Sequence, residues 1–438
     1  LPNGKESKVK TKVIAIAMSA AFFISGGGAY AQTDATQSSK VYQVETRLDD
    51  YTRPTTFTAT KAKPANGAIT ENIVTTTQNI LNKEAVFLKK GLVKPVGEDQ
   101  FSAWELVSDE GGSTHHQTAP NPLTYYAAGA SSSLLTQVER MIQILDLDVE
   151  DVKVESKIFF RWSDPMTGKW SGYTDKVISN ILIKSSEPPD KIKELKEKAL
   201  KAWAVGEGLA NKTTIDVGIL INADDWAGLE ARPGKVESAI SIDNGRTITN
   251  VTPDLDLQTV EIEEDYALDM HKFPNPFTFS EISIAESAHD ASRPYLHKIR
   301  AKSLTENYET WELYADDSRG YEGIDKAPTS RDYFTVGTSF CLMSQLTANR
   351  MYAQKQGINI DDFRVEHQFN YQQDNFMTPT MTGHLDYVIT RVIVKSGAAK
   401  EALTDYAKQA LRMCFAGEGV QNETEMETGL YLNGKIVK

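Results

Sequence analysis

The strongest constraint on how this chain can fold is that it repeats itself. Trp104-Glu105-Leu106, followed by Asp109, returns as Trp311-Glu312-Leu313, followed by Asp316, at an offset of 207 residues. Ala119-Pro120 returns as Ala327-Pro328, and Tyr125, Gly129, Leu134 and Gln137 return as Tyr333, Gly337, Leu342 and Gln345, at an offset of 208. Gly206-Glu207-Gly208 then matches Gly417-Glu418-Gly419, and Asn211, Gly218 and Asn222 match Asn422, Gly429 and Asn433, at an offset of 211. The order holds and the offset drifts by only a few residues, which indicates two copies of one domain. The period is far too long for a solenoid repeat, so each copy is expected to carry its own core.

Each copy reads in the same order, as an α+β unit. A stretch rich in Thr, Val and Phe suggests a β-meander. After the Ala-Pro turn a long helical pattern follows, over about 123–145 and 332–356, with Phe334, Cys341, Leu342, Gln345, Leu346 and Met351 at roughly helical spacing in the second. Two strands come next, 153–162 and 173–184 in the first copy, 363–371 and 384–395 in the second. A second amphipathic helix carries Ile192, Leu195, Ala199 and Trp203, or Leu403, Ala407, Ala410 and Cys414, and Gly206 and Gly417 read as its stops. A last strand closes each copy, at 213–222 and 425–432. The boundary between the copies is set at 222/223, before an acidic stretch containing Pro253, Pro274 and Pro276.

The amino-terminal residues read as a targeting segment. Lys5, Lys8, Lys10 and Lys12 precede a short apolar run at 13–24, and Ala29-Tyr30-Ala31 is a small-x-small cleavage site. That is the layout of a secretory signal peptide over 1–31, with an apolar run too short to span a membrane. The expected localisation is therefore exported, periplasmic or secreted, with no membrane span after cleavage. The formal net charge is -13, and cleavage would make the remainder more acidic still. Phosphate contacts need clustered Lys and Arg, so a nucleic-acid partner is not expected.

The chain has only two cysteines, Cys341 and Cys414, both in the second copy. They can form a structural disulfide, serve as a redox pair, or stay as buried inert thiols. Composition does not separate these readings. His115-His116 has no partner spaced for a metal site and reads as a solvated loop pair. Glu207 and Glu418 read as parts of helix-ending turns rather than as acid/base groups. No P-loop, nucleophile elbow or zinc motif is present, and no cofactor or metal is expected.

The first copy's 104–112 segment, WELVSDEGG, followed by 119–123, APNPL, resembles the approach to the central helix in the OsmC/Ohr family. In the second copy, Gly337-Thr338-Ser339-Phe340-Cys341 resembles the small-residue run ending in that family's reactive cysteine. Ala410-Leu411-Arg412-Met413-Cys414-Phe415 resembles the segment carrying its resolving cysteine. The resemblance covers roughly 100–222 and 305–438. It implies two tandem OsmC-like domains, each a β-meander with a long central helix and a second helix packed on the sheet. Residues 32–222 would form the domain lacking cysteines and 223–438 the domain with the pair. Since the family forms intertwined dimers, one chain would make both halves of a pseudo-dimer.

The resemblance also implies the chemistry. Cys341 would attack a hydroperoxide and Cys414 would resolve the sulfenic acid into a disulfide, at the expense of a thiol reductant of unknown identity. The alternative is a non-catalytic protein that binds a small molecule and holds a structural disulfide. Ser133 stands where the second copy has Cys341, and Trp203 where it has Cys414, so the first copy would be a structural half. A thiolate needs a nearby cation or helix terminus. Arg331, with Asp332 beside it, is the candidate activating pair, and Arg350 and Arg412 are further candidate cations. The family's Glu near the start of the central helix has no counterpart here, where Arg331 stands. Arg293 and Arg300 are the candidates for its strand-borne Arg.

Overall fold

The structure is a computed structural model and describes residues 45–48, 71–81, 87–96, 102–110, 117–163, 170–222, 236–237, 247–248, 279–289, 296–304, 309–316 and 326–438. The segment read as a signal peptide, His115-His116, Arg293 and most of 223–278 lie outside them. In chain order the first half runs β1 (Glu45–Leu48), β2 (Glu71–Leu81), β3 (Lys89–Val96), β4 (Ala103–Ser108), α1 (Pro122–Ile144), β5 (Val149–Ser163), β6 (Ser171–Ser185), α2 (Pro189–Ala202), α3 (Ala204–Ala210) and β7 (Thr214–Ile221). Two short strands, β8 (Val236–Glu237) and β9 (Thr247–Ile248), precede the second half. That half repeats the order as β10 (Phe279–His289), β11 (Leu296–Ser303), β12 (Thr310–Asp316), α4 (Ser330–Lys355), β13 (Asp362–Asp374), β14 (Thr382–Lys395), α5 (Lys400–Met413), α6 (Phe415–Gln421) and β15 (Glu425–Leu432), and β16 (Lys435–Ile436) follows.

The α+β class and the element order match the sequence reading, but neither half closes on itself. One sheet has the order β7-β14-β13-β2-β3-β4-β1-β8, and the other β16-β15-β6-β5-β10-β11-β12-β9. Each sheet therefore joins the meander of one half to the hairpin of the other, through antiparallel β2–β13 and β10–β5 pairs. The exchange continues at the edges, where β7 runs parallel to β14 and β15 runs parallel to β6. A single hydrophobic cluster draws on both halves. The expectation of one core per copy is thus corrected: a meander with a free edge strand gains its missing ladder bonds from the other half.

Between the sheets lie the two central helices. α1 packs on β5, β10 and β11, α4 packs on β2, β3 and β13, and the helices pack on each other. Both begin with strong caps. Asn121 accepts a hydrogen bond from the Thr124 amide at 2.7 Å, with Pro122 in the first turn. Thr329 and Asp332 form a capping box, with Thr329 N–H to Asp332 Oδ2 at 2.8 Å and Asp332 N–H to Thr329 Oγ1 at 3.1 Å. A glycine in mid-helix costs roughly 0.5–1 kcal/mol relative to alanine, yet both helices carry one at the repeated position. The reason is contact. A Cβ on Gly129 would lie 2.3 Å from the Phe334 backbone nitrogen, and one on Gly337 would lie 2.6 Å from the Tyr126 nitrogen. Around this crossing repeated residues meet one another: Tyr125 stacks on Tyr333 with centroids 5.9 Å apart, and Tyr126 on Phe334 at 4.4 Å.

The remaining repeated residues hold strands and loops in register. Tyr125 Oη donates to the Val107 carbonyl at 2.7 Å and Tyr333 Oη to the Tyr314 carbonyl at 2.5 Å. Asn222 and Asn433 both have positive φ, at 52° and 51°. Asn222 Oδ1 accepts from the Ser396 amide at 3.0 Å, and Asn433 Oδ1 from the Ser185 amide at 3.1 Å. Each asparagine thus pins the end of one half's last strand to the other half's hairpin. Buried serines also meet buried histidines, in one case across the same divide. Ser132 Oγ bonds His297 Nδ1 at 2.8 Å, and His297 Nε2 bonds Glu139 at 2.8 Å. Ser339 Oγ bonds His367 Nδ1 at 2.5 Å, and burial pushes the His367 pKa down to about 3, so that ring is neutral. Among the described residues, no helix is long and apolar enough to cross a membrane.

If the helix crossing organises the fold, one methyl group placed there is costly. Gly129→Ala and Gly337→Ala are each expected to lower the unfolding free energy by about 1–3 kcal/mol, the usual cost of overpacking. Equilibrium urea denaturation checks this, and an unchanged midpoint for both variants would contradict it.

Candidate active site

The two cysteines come together at a helix break. The α5 helix ends at Met413, and Cys414 caps both α5 and the short helix α6 that follows. Gly206 and Gly417, read from sequence as stops, lie instead inside the short helices α3 and α6, and the breaks fall at Trp203 and Cys414. The glycines serve space. A Cβ on Gly206 would fall 2.0 Å from the Trp203 ring, and one on Gly417 would fall 3.2 Å from Cys414 Sγ.

Cys341 is on the α4 face turned toward this break. Both cysteines are free thiols and both are buried, with 2 % of each exposed. The Cys414 thiol is a hydrogen-bond neighbour of Cys341, and the Ala416 N–H bonds the Cys341 sulfur. The Gly417 N–H bonds Cys414 Sγ at 3.3 Å. The first amides of α6 thus turn toward both sulfurs. Burial pushes the Cys341 thiol well above its ordinary pKa; Cys414 and the more distant Glu110 push the same way, and only the Ala416 amide opposes them.

Aromatic and ionic neighbours complete the surroundings. Trp162 stacks on Phe415 at 4.9 Å and meets Trp170 edge-on at 5.4 Å. The Trp162 indole N–H donates to the Met413 carbonyl at 3.2 Å. Tyr126 Oη lies 3.5 Å from the Ala416 carbonyl, and burial, with Glu418 and both cysteines, raises its pKa. Glu110, which reaches Cys341 electrostatically, forms an ion pair with the fully buried Lys89 at 3.0 Å and accepts a hydrogen bond from Ser344. No sequence signal singled out this lysine, because nothing local marks a strand lysine as buried.

The candidate activating pair lies elsewhere. Asp332 is spent in the capping box of α4. The Arg331 guanidinium sits 5.9 Å from the Tyr371 ring centroid, and neither residue is among the groups acting on Cys341. Arg350 donates to the Asp361 carbonyl at 3.1 Å, Arg412 donates to the Trp170 carbonyl at 2.8 Å, and Arg300 is on β11. Glu207 and Glu418 prove to be ties rather than turn residues. Glu418 Oε2 accepts from the Thr174 amide at 2.6 Å and Glu207 Oε2 from the Leu385 amide at 2.8 Å, in each case beside the bulge in a hairpin of the other half.

The first half keeps this geometry with other residues. Trp203 caps the break between α2 and α3, and its indole N–H donates to Ser133 Oγ at 2.8 Å. The positions of the cysteine pair are thus in contact in both halves, but only the second has sulfur. Among the described residues, no cluster of His, Cys, Asp and Glu could hold a metal ion.

Residues 323–429 match the family model described as OsmC-like protein. One solved structure is an OsmC-like hydroperoxide resistance protein from Jannaschia sp. CCS1. It is 16 % identical, with a TM-score of 0.23, over 35 % of this chain and 95 % of that one. No curated protein matches the chain.

Because burial raises its pKa, Cys341 should react slowly at neutral pH. A group whose pKa lies above the ordinary range gains thiolate only as pH climbs past that range. Its alkylation by iodoacetamide in a Cys414→Ser background should therefore still be accelerating above pH 9. A plateau near pH 7 would show instead a stabilised thiolate.

Proposed function

We propose that this chain is an exported thiol peroxidase acting on hydroperoxides through Cys341 and Cys414. The observation that carries the reading is the contact of two free thiols at the α6 terminus, in a region that matches the OsmC-like family model. The Cys341 thiolate attacks the distal oxygen of the hydroperoxide. An S–O bond forms, the O–O bond breaks, and the alkoxide leaves to take up a proton as alcohol. The Cys341 sulfenic acid then condenses with the Cys414 thiol, forming a disulfide and releasing water. An external dithiol returns the pair to the reduced state. Aromatic Trp162 and Phe415 beside Cys414 suit the apolar part of an organic substrate. On this reading the two halves are tandem copies, and the first, with Ser133 and Trp203, keeps the fold without the chemistry.

One observation favours a second reading. Both sulfurs are almost wholly buried, as in a structural pair within a protein that binds a small molecule without turning it over. The two readings differ in a single assay. The peroxidase reading expects mature protein to consume cumene hydroperoxide in the presence of a dithiol. Cys341→Ser should abolish turnover, and Cys414→Ser should allow one equivalent of oxidation without disulfide. No consumption, with a disulfide that dithiols barely reduce, would leave the binding reading in its place. Export has its own check: intact mass of protein recovered from the periplasm or medium should begin at Gln32, and an uncleaved chain in the cytoplasm would remove that part of the proposal.

A further inference from the structure

Comparison of the two halves exposes a buried acceptor that only the cysteine-bearing half leaves unused. Gln137 lies one turn after Ser133 on α1, and Gln345 lies one turn after Cys341 on α4, at repeated positions. In the first half the site is closed. Gln373 Nε2 donates to Gln137 Oε1 at 2.8 Å and to the Ala202 carbonyl at 3.0 Å. Around Cys341 the strand position equivalent to that of Gln373 is held by Trp162, supplied by the first half. Both residues stand opposite a hairpin glycine, Gly383 and Gly172. Both donate to the carbonyl that precedes the helix break, Ala202 and Met413. The indole spends its one N–H on that carbonyl and has none left for the glutamine. Gln345 Oε1 is therefore buried without a hydrogen-bond partner, in a residue only 5 % exposed.

A buried, unpartnered carbonyl costs about 1–3 kcal/mol, so its retention beside Cys341 calls for a ligand that supplies a donor. The ligand that the proposed reaction brings to Cys341 has one, the O–H of the hydroperoxide. Resting on the peroxidase reading, we propose that Gln345 is the hydrogen-bond acceptor for the oxygen that Cys341 attacks. The hydroperoxide O–H donates to Gln345 Oε1 and so presents its distal oxygen to the sulfur. As the S–O bond forms and the O–O bond breaks, that hydrogen stays on the transferred oxygen. The product, Cys341–S–O–H, keeps the same bond to Gln345 until the Cys414 thiol displaces the oxygen as water. In the first half the matching acceptor is satisfied from within, in keeping with a half that has no sulfur.

The test is Gln345→Met, which keeps length and helix propensity and removes the acceptor. The reduced protein is assayed with cumene hydroperoxide, and separately with methyl methanethiosulfonate, a thiol reagent that has no O–H. The expected result is a loss of about tenfold in kcat/KM for the peroxide, the worth of one hydrogen bond. The rate with the thiosulfonate should stay unchanged, and Tm should stay equal or rise because a desolvated orphan has been removed. Equal losses with both reagents, or a lowered Tm, would show that Gln345 only supports the fold and would overturn the proposal. Undiminished peroxide turnover would overturn it too. Failure of the parent reading looks different: the unaltered protein would then consume no peroxide at all.

Discussion

The contact between α1 and α4 at Gly129 and Gly337 is the constraint on which the rest depends. Each glycine lets the other helix's backbone come close enough that no side chain fits between them. That distance fixes the stacking of Tyr125 on Tyr333 and of Tyr126 on Phe334. It also fixes how far each sheet stands from the other half, since each helix rests on one sheet and presses on its counterpart. The strand exchange follows. With the helices back to back, the hairpin after each helix meets the meander of the opposite half, and β2–β13 and β10–β5 pair. Cys341 is one helical turn beyond Gly337, so the position of the sulfur is set by the same contact.

Much of this was legible in the sequence. Long helices after the Ala-Pro turns, the strands that follow them and both cysteines' approximate places could be read from periodicity and repeat alone. Strand exchange could not, because a hydrophobic pattern says which face of a strand is buried and not which strand covers its edge. The helix breaks at Trp203 and Cys414 were also misread. Glycine near a helix end suggests a stop, but Gly206 and Gly417 are there to clear space for the residue three before them. Arg331 and Asp332 looked like an activating pair because charge is visible in sequence while direction is not. Asp332 turned out to be a cap and Arg331 to face Tyr371. Lys89, buried while paired with Glu110, carries no local signature at all.

The comparison between halves gives the site its sharpest definition. A chain that contains both versions of one arrangement serves as its own control. Ser133 with Trp203 and Cys341 with Cys414 occupy the same contact. Around them Gln373 and Trp162 hold equivalent carbonyls. The half with serine is satisfied by hydrogen bonds, whereas the half with sulfur retains an orphaned amide oxygen and a thiol whose ionisation burial opposes.

The exchange of strands also bears on how the molecule is made. As the chain emerges from the ribosome, β2, β3 and β4 can pair with one another early, but the outer edge of β2 has no neighbour until β13 appears after residue 362. The β6 edge waits longer still, for β15 at Glu425–Leu432. Unpaired edges that must wait for distant partners make for slow folding and exposure to wrong pairing. Both sheets can therefore be completed only after the strands of the second half have been released, and a nascent first half has no finished sheet of its own in the meantime.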